Sequence, residues 1–201
     1  MGFAFDPKIC PSPEYVRATS GVFEPGYSDA LLEVKCSYDF ELVILTRGLR
    51  GTWGYLDSVY LGAIYDRLTV GLAKMISPRE DDIIVHNDVT LRGTGIYQAD
   101  FEILRVTNRK VRVVLDEVEK GFAYPLGEPD QWVEQQGKFE AVPATDKDSG
   151  ITEIMTFKTE RKKTVVERGF YWRKDFGIFE PTFWSPLQPA AKPAPKKQKG
   201  K

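Results

Sequence analysis

Apolar and polar positions are patterned most clearly over residues 99–118, which read ADFEILRVTNRKVRVVLDEV. Two apolar-rich arms flank a polar centre, Thr107-Asn108-Arg109-Lys110. Such a pattern is typical of two strands joined by a tight turn. It predicts a β-hairpin and indicates that the middle of the chain forms a sheet.

Shorter patterns of the same kind recur on both sides of this hairpin. Within residues 31–48, Phe40, Leu42 and Ile44 occupy alternate positions, as expected of a strand buried on at least one face. Further strands are predicted at 82–86, 89–92, 98–106, 111–119, 138–141, 151–158 and 164–172, with a turn at Asn87-Asp88 and a long loop at 124–137. Many short strands separated by turns are typical of an antiparallel barrel or sandwich.

Residues 56–76 are ambiguous between helix and strand. Several apolar residues recur there at helical spacing, which favours an amphipathic helix. Gly62 and Gly71 oppose it, since each costs about 1 kcal/mol in a helix interior relative to Ala. The β-branched and aromatic residues of the segment also suit a strand. Local pattern leaves both alternatives open.

The two ends differ from the middle. Residues 1–30 contain four prolines and are predicted to form an irregular arm. Residues 31–184 are predicted as one domain, whose last strands have a large aromatic area to bury: Phe170, Tyr171, Trp172, Phe176, Phe179, Phe183 and Trp184. Residues 185–201 form a basic, low-complexity tail, expected to be extended or disordered. Its lysines could solubilise the chain or bind a partner with an acidic surface: Lys192, Lys196, Lys197, Lys199 and Lys201.

Charge and cysteine content exclude some classes of function. The chain has 28 Lys plus Arg and 29 Asp plus Glu, so without the tail it is acidic and nucleic-acid binding is not expected. No apolar run approaches the length of a membrane span. Cys10 and Cys36 are predicted to be reduced thiols, and no secretory or transit signal is evident. These features together predict an intracellular protein.

The order of certain residues along the chain carries a family resemblance. They are Gly62, Ile64, Tyr65, Phe101, Glu102, Val111, Arg112, Val113 and Val114, followed by Arg168-Gly169 and an aromatic strand. In this order the chain resembles the plastid-lipid-associated, or fibrillin, family. It departs from the family pattern at Phe40, where a Trp is usual, and at Asp66, where a Gln is usual.

This resemblance implies a mainly β fold, an antiparallel lipocalin-like (calycin-type) β-barrel. It also implies that the ambiguous segment is strand from Ala63 onward. For function it implies non-catalytic binding of an apolar ligand or a lipid surface, associated with thylakoids or plastids in a photosynthetic source. The alternative is a structural subunit of a large protein assembly, held by the arm and the lysine tail.

Candidate ligand-binding residues follow from that fold. We predict them to be Trp53, Tyr65, Tyr97, Phe101, Arg112 and Trp172. An inward Arg112 could hold a ligand carboxylate. Trp53 is primarily interpreted as core or barrel-end packing.

Residues with catalytic or metal-binding chemistry are few. His86 is the only histidine and is interpreted as structural, and no metal site or cofactor is expected. The acidic groups Glu80-Asp81-Asp82 and Asp116, Glu117 and Glu119 are interpreted as solvated faces. The basic residues around the hairpin turn could form a basic tip. No enzymatic activity is expected.

Overall fold

The computed structural model describes residues 12–36, 39–48, 50–63, 67–91, 96–123, 133–142, 150–158 and 163–186. These residues form thirteen strands, and none of them lies in a helix. The strands are β1 (Pro13–Gly21), β2 (Asp29–Cys36), β3 (Asp39–Arg47), β4 (Trp53–Ala63), β5 (Arg67–Ala73), β6 (Asp82–Leu91), β7 (Ile96–Thr107), β8 (Lys110–Ala123), β9 (Val133–Val142), β10 (Gly150–Lys158), β11 (Lys163–Arg173), β12 (Ile178–Pro181) and β13 (Ser185–Pro186). The predicted mainly β class is confirmed.

The strands form two antiparallel sheets. One has four strands in the order β1-β2-β3-β4. The other has nine, in the order β12-β11-β10-β9-β8-β7-β6-β5, with β13 paired to β11. Strands that follow each other in sequence are neighbours, as in a meander. Among the described strands β5 and β12 remain edges, so no closed barrel is found there.

The predicted central hairpin is confirmed as β7 and β8. Its turn residues Asn108 and Arg109 both have positive φ, 52° and 61°. Two such residues make the type I′ turn, whose twist matches that of the flanking strands.

The described parts of the ambiguous segment 56–76 are strand at 56–63 and 67–73, and residues 74–76 are irregular. The segment contains the end of β4 and all of β5. Gly62 has φ +80°, a conformation that strains side chains other than glycine and does not occur within an α-helix.

The two sheets pack face to face. Their shared core joins Leu42 and Ile44 of the four-stranded sheet to Ile83, Val85 and Leu104 of the nine-stranded sheet. The edge strands β1 and β5 also meet. There the Arg17 guanidinium bonds to the Glu33 carboxylate at 2.6 Å and donates to the Val70 carbonyl.

The nine-stranded sheet curls around a second core on its other face. Phe101, Ile103, Ile151, Phe170 and Phe179 are buried together there. Strands β8 and β12 make contact although they lie four places apart in the sheet. Buried side chains of β7, β8, β10, β11 and β12 contribute to this core.

Four details differ from the sequence predictions. The arm predicted to be irregular contains β1, which has its only proline at the first position, where a strand tolerates it. Asn87 lies inside β6 opposite Asp100 and is buried, although a turn was expected there. Residues 133–137 belong to β9 rather than to a loop. Cys36 is disulfide-bonded, so the reduced state predicted for it is wrong, whereas Cys10 lies outside the described residues.

Candidate functional site

A polar cleft opens over strands β5, β6 and β8. Its volume is about 250 Å³. We call it the His86 cleft, and its lining residues are Arg67, Thr69, His86, Asp88, Glu119 and Lys120. His86, interpreted from sequence as structural, therefore lies in a cleft, with its side chain 38% exposed.

Strand register explains how these side chains come together. Thr69 is directly opposite His86, and Arg67 is opposite Asp88, so alternation places all four on one face. Glu119 arrives through a β-bulge, because Ala99 and Asp100 of β7 pair with Lys120 and Val118 and leave Glu119 as the extra residue. A bulge re-aims a side chain out of the regular alternation.

Glu119 and His86 form a hydrogen-bonded pair. The His86 Nδ1 atom lies 2.9 Å from Oε2 of Glu119. This hydrogen bond is the largest cause that lowers the pKa of Glu119, and the charge of Lys120 lowers it further. Glu119 is therefore ionised at neutral pH and orients the imidazole ring.

An aromatic row lies behind the imidazole. The His86 and Phe101 ring centroids are 5.0 Å apart, and the Phe101 ring stacks on Phe139 at 4.1 Å. Phe101 is buried. The aromatic row thus forms a rigid apolar floor beneath a polar cleft.

A second feature is an apolar surface at the end of the nine-stranded sheet. We call it the C-terminal aromatic surface and define it by five exposed side chains on β11, β12 and the segments that follow them: Tyr171 (43% exposed), Phe176 (69%), Ile178 (44%), Phe183 (97%) and Trp184 (39%). From sequence we expected this whole aromatic group to be buried. Only Phe170 and Phe179 of that group are buried, because alternation turns Tyr171 outward and because Phe176, Phe183 and Trp184 lie outside the strands.

Arg168 contacts Trp184, one of the five side chains of the C-terminal aromatic surface. The guanidinium bonds to Glu153 at 2.7 Å and to Glu117 at 2.6 Å, and it stacks 4.3 Å from the centre of the Trp184 ring. Glu153 is fully buried. This arrangement holds the last segment of the domain against the curled sheet.

The structure does not gather the predicted ligand-binding residues into one site. Phe101 and Trp172 belong to the second core, whereas Trp53 packs on the outer face of the four-stranded sheet. Arg112 is exposed. Tyr97 lies in β7, but its side chain is not among those described, and Tyr65 and the tail lysines lie outside the described residues.

The acidic run before β6 is structural rather than solvated. Asp82 is fully buried, accepts the backbone N–H groups of Met75 and Ile76, and pairs with Arg105. Three basic residues around the hairpin turn also have acidic partners: Arg105 lies 2.7 Å from Asp82, Arg109 3.7 Å from Glu24 and Lys110 3.1 Å from Asp57. The fourth, Arg112, is exposed.

Sequence reasoning missed Arg67, Lys120, Phe176 and Phe183 as candidate functional residues. The cleft residues could not be found, because they meet only through register and the bulge at Glu119. The apolar residues were visible in the sequence, but nothing in it distinguished the exposed aromatic residues from the buried ones.

Within the described ranges, no cluster of three or more His, Cys, Asp or Glu side chains is arranged to hold a metal. The described residues also include no helix with the length and apolarity needed to cross a bilayer. Comparison of the chain with protein-family models gives no match, and comparison with curated proteins gives none.

Proposed function

We propose that this protein binds anionic lipid surfaces without catalysis, through the C-terminal aromatic surface and the lysines that follow it. One observation carries the proposal. Five of the exposed large apolar side chains fall within residues 171–184, and Phe183 is almost completely exposed. Aromatic side chains are favoured at the boundary between lipid and water.

The charge distribution supports the same partner. Residues 163–201 contain nine Lys or Arg and three acidic residues, a net charge of +6, so the preceding 162 residues carry −7. Each Lys or Arg near an anionic leaflet contributes about 1 kcal/mol of attraction. An acidic body would be repelled by that leaflet, so the molecule would orient with its last strands toward the lipid.

A surface role also fits the polar lining of the described clefts. The buried clusters of the curled sheet are packed by its own side chains, and the His86 cleft is lined by polar and charged residues. A second cleft, beside the hairpin turn, is lined largely by charged and polar residues, among them Glu24, Glu80, Arg105 and Arg109. The resemblance to the fibrillin family implies two functions, binding of a lipid surface or binding of an apolar ligand. The polar lining of both clefts supports binding of a lipid surface. Membership of that family and a lipocalin-like barrel remain part of the proposal.

Vesicle co-sedimentation tests the proposal. The full chain should sediment with vesicles that contain phosphatidylserine and much less with phosphatidylcholine alone. Replacing both Phe176 and Phe183 by Ser should remove roughly 2 kcal/mol if each ring is partly buried in the interface, which is about a 30-fold fall in partitioning. High salt should weaken binding of the unchanged protein.

A matched control is available on the other sheet. Tyr55 of β4 is 53% exposed and belongs to neither site, so Tyr55→Ser should leave partitioning unchanged. Equal binding by the double Phe variant and the unchanged protein would contradict the proposal. So would equal loss in the Tyr55 control.

The buried clusters and the polar clefts are equally compatible with the alternative, a subunit of a protein assembly. The two functions differ in what accompanies the protein from its source. Native mass spectrometry that finds stoichiometric protein partners, together with no binding to anionic vesicles, would support the assembly role instead.

A further inference from the structure

We infer that the His86 cleft binds a small molecule carrying a phosphate or carboxylate group together with a hydrogen-bond donor such as a hydroxyl. This site is separate from the C-terminal aromatic surface: its residues come from β5, β6 and β8, not from β11–β13. The inference therefore stands independently of lipid binding.

The first argument is the supply of hydrogen-bond donors. Arg67 and Lys120 line the cleft, and neither forms an ion pair with another described residue. The Thr69 hydroxyl lies on the same face. Guanidinium and ammonium groups form their strongest hydrogen bonds with carboxylate and phosphate oxygens.

The second argument is the state of the two acids in the cleft. Glu119 is hydrogen-bonded to His86 and lies near the positive charge of Lys120, so its carboxylate already has partners within the protein. Asp88 is the remaining acceptor, directly opposite Arg67. An anion that also carries a hydroxyl can bond to Arg67 with one end and to Asp88 with the other.

The third argument is preorganisation. The bulge places Glu119 against Nδ1 of His86, and the stacked rings of Phe101 and Phe139 close the floor. His86 therefore has a fixed ring plane, with its Nε2 atom unpartnered among the described residues. Four charged side chains line the same cleft: Arg67, Asp88, Glu119 and Lys120.

The size of the cleft limits the ligand. A volume of about 250 Å³ equals that of about eight waters at roughly 30 Å³ each. This suits a compact metabolite of the size of glycerol phosphate.

The single histidine provides a direct assay. Because His86 is the only histidine, its Cε1–H resonance reports on this cleft alone. Titrating the full chain with glycerol 3-phosphate should shift that resonance saturably, whereas glycerol should not.

Variants separate a built site from general charge attraction. Arg67→Gln and Lys120→Gln should each weaken binding by at least about tenfold, and the exposed Arg112→Gln on β8 should leave it unchanged. An equal effect of all three, or an absence of saturable shift, would overturn the inference. A shift caused by phosphatidic acid vesicles but by no free anion would also overturn it, because the ligand would then be a lipid headgroup.

Discussion

The buried ion pair between Arg105 and Asp82 offers a sharp test of how the β5–β6 connection is held. The Arg105 side chain is 13% exposed and that of Asp82 is fully buried, with Nη1 and Oδ1 2.7 Å apart. The other Asp82 oxygen accepts the backbone N–H groups of Met75 and Ile76, each at 3.0 Å. A second guanidinium nitrogen donates to Glu80.

Replacing Arg105 by Met leaves the Asp82 charge buried without a cation. Breaking a buried pair in this way costs about 3–5 kcal/mol. For Arg105→Met we expect a loss of stability of about 3 kcal/mol, since the two backbone N–H groups still stabilise the Asp82 carboxylate. Asp82→Asn removes that charge but keeps a carbonyl oxygen for the same N–H groups. The double variant should therefore be more stable than the sum of the single losses predicts, by about 2 kcal/mol or more.

Urea unfolding followed by tryptophan fluorescence measures these free energies. Arg112→Met is the matched control, because that arginine is exposed on the neighbouring strand β8, and it should change stability by less than about 0.5 kcal/mol. A loss below about 1 kcal/mol for Arg105→Met would refute the reasoning. Strict additivity in the double variant would refute it as well.

Three further predictions concern single positions. Burial and the charge of Asp116 raise the pKa of Glu102 to about 7, so the folded state binds more protons than the unfolded state and stability falls as pH rises from about 4.5 to 7. Glu102→Gln should remove that fall and raise the free energy of unfolding at pH 8 by about 1–2 kcal/mol after allowance for solvent screening. Urea unfolding that gives the same dependence of stability on pH for the variant and the unchanged protein would contradict this. Arg109→Gly should raise the melting temperature by about 2–4 °C, because φ of 61° favours glycine in a type I′ turn, and a lower melting temperature would be the opposing result. Gly137→Ala should cost about 1–3 kcal/mol, since its Cβ would lie 2.9 Å from a β8 carbonyl oxygen, whereas Gly169→Ala, with no contact closer than 3.9 Å, should cost much less in the same assay.

The local part of the fold was predictable from sequence. The central hairpin, β10 and β11 carry alternating patterns and turn residues that specify strands without reference to the rest of the chain. For the segment at 56–76 the local sequence could not distinguish helix from strand, because its apolar spacing suits both. The outcome depends on the pairing of β4 with β3 and of β5 with β6.

The tertiary part was not predictable, and particular residues show why. Glu119 reaches His86 only because of a one-residue bulge, and no composition signal marks a bulge. Asp82 belongs to a charged run that looks solvated, yet it is buried because Arg105, 23 positions away, pairs with it. Phe179 and Phe183 are equally apolar, but one is buried and the other is exposed according to which side of the final segment faces the core.

Hydrogen exchange read by mass spectrometry, with and without phosphatidylserine vesicles, tests the central claim most directly. Lipid binding through the C-terminal aromatic surface predicts slower exchange in peptides spanning residues 171–184 and no change in peptides from β1–β3. Protection confined to the four-stranded sheet, or no protection under conditions in which the protein sediments with the vesicles, would contradict it.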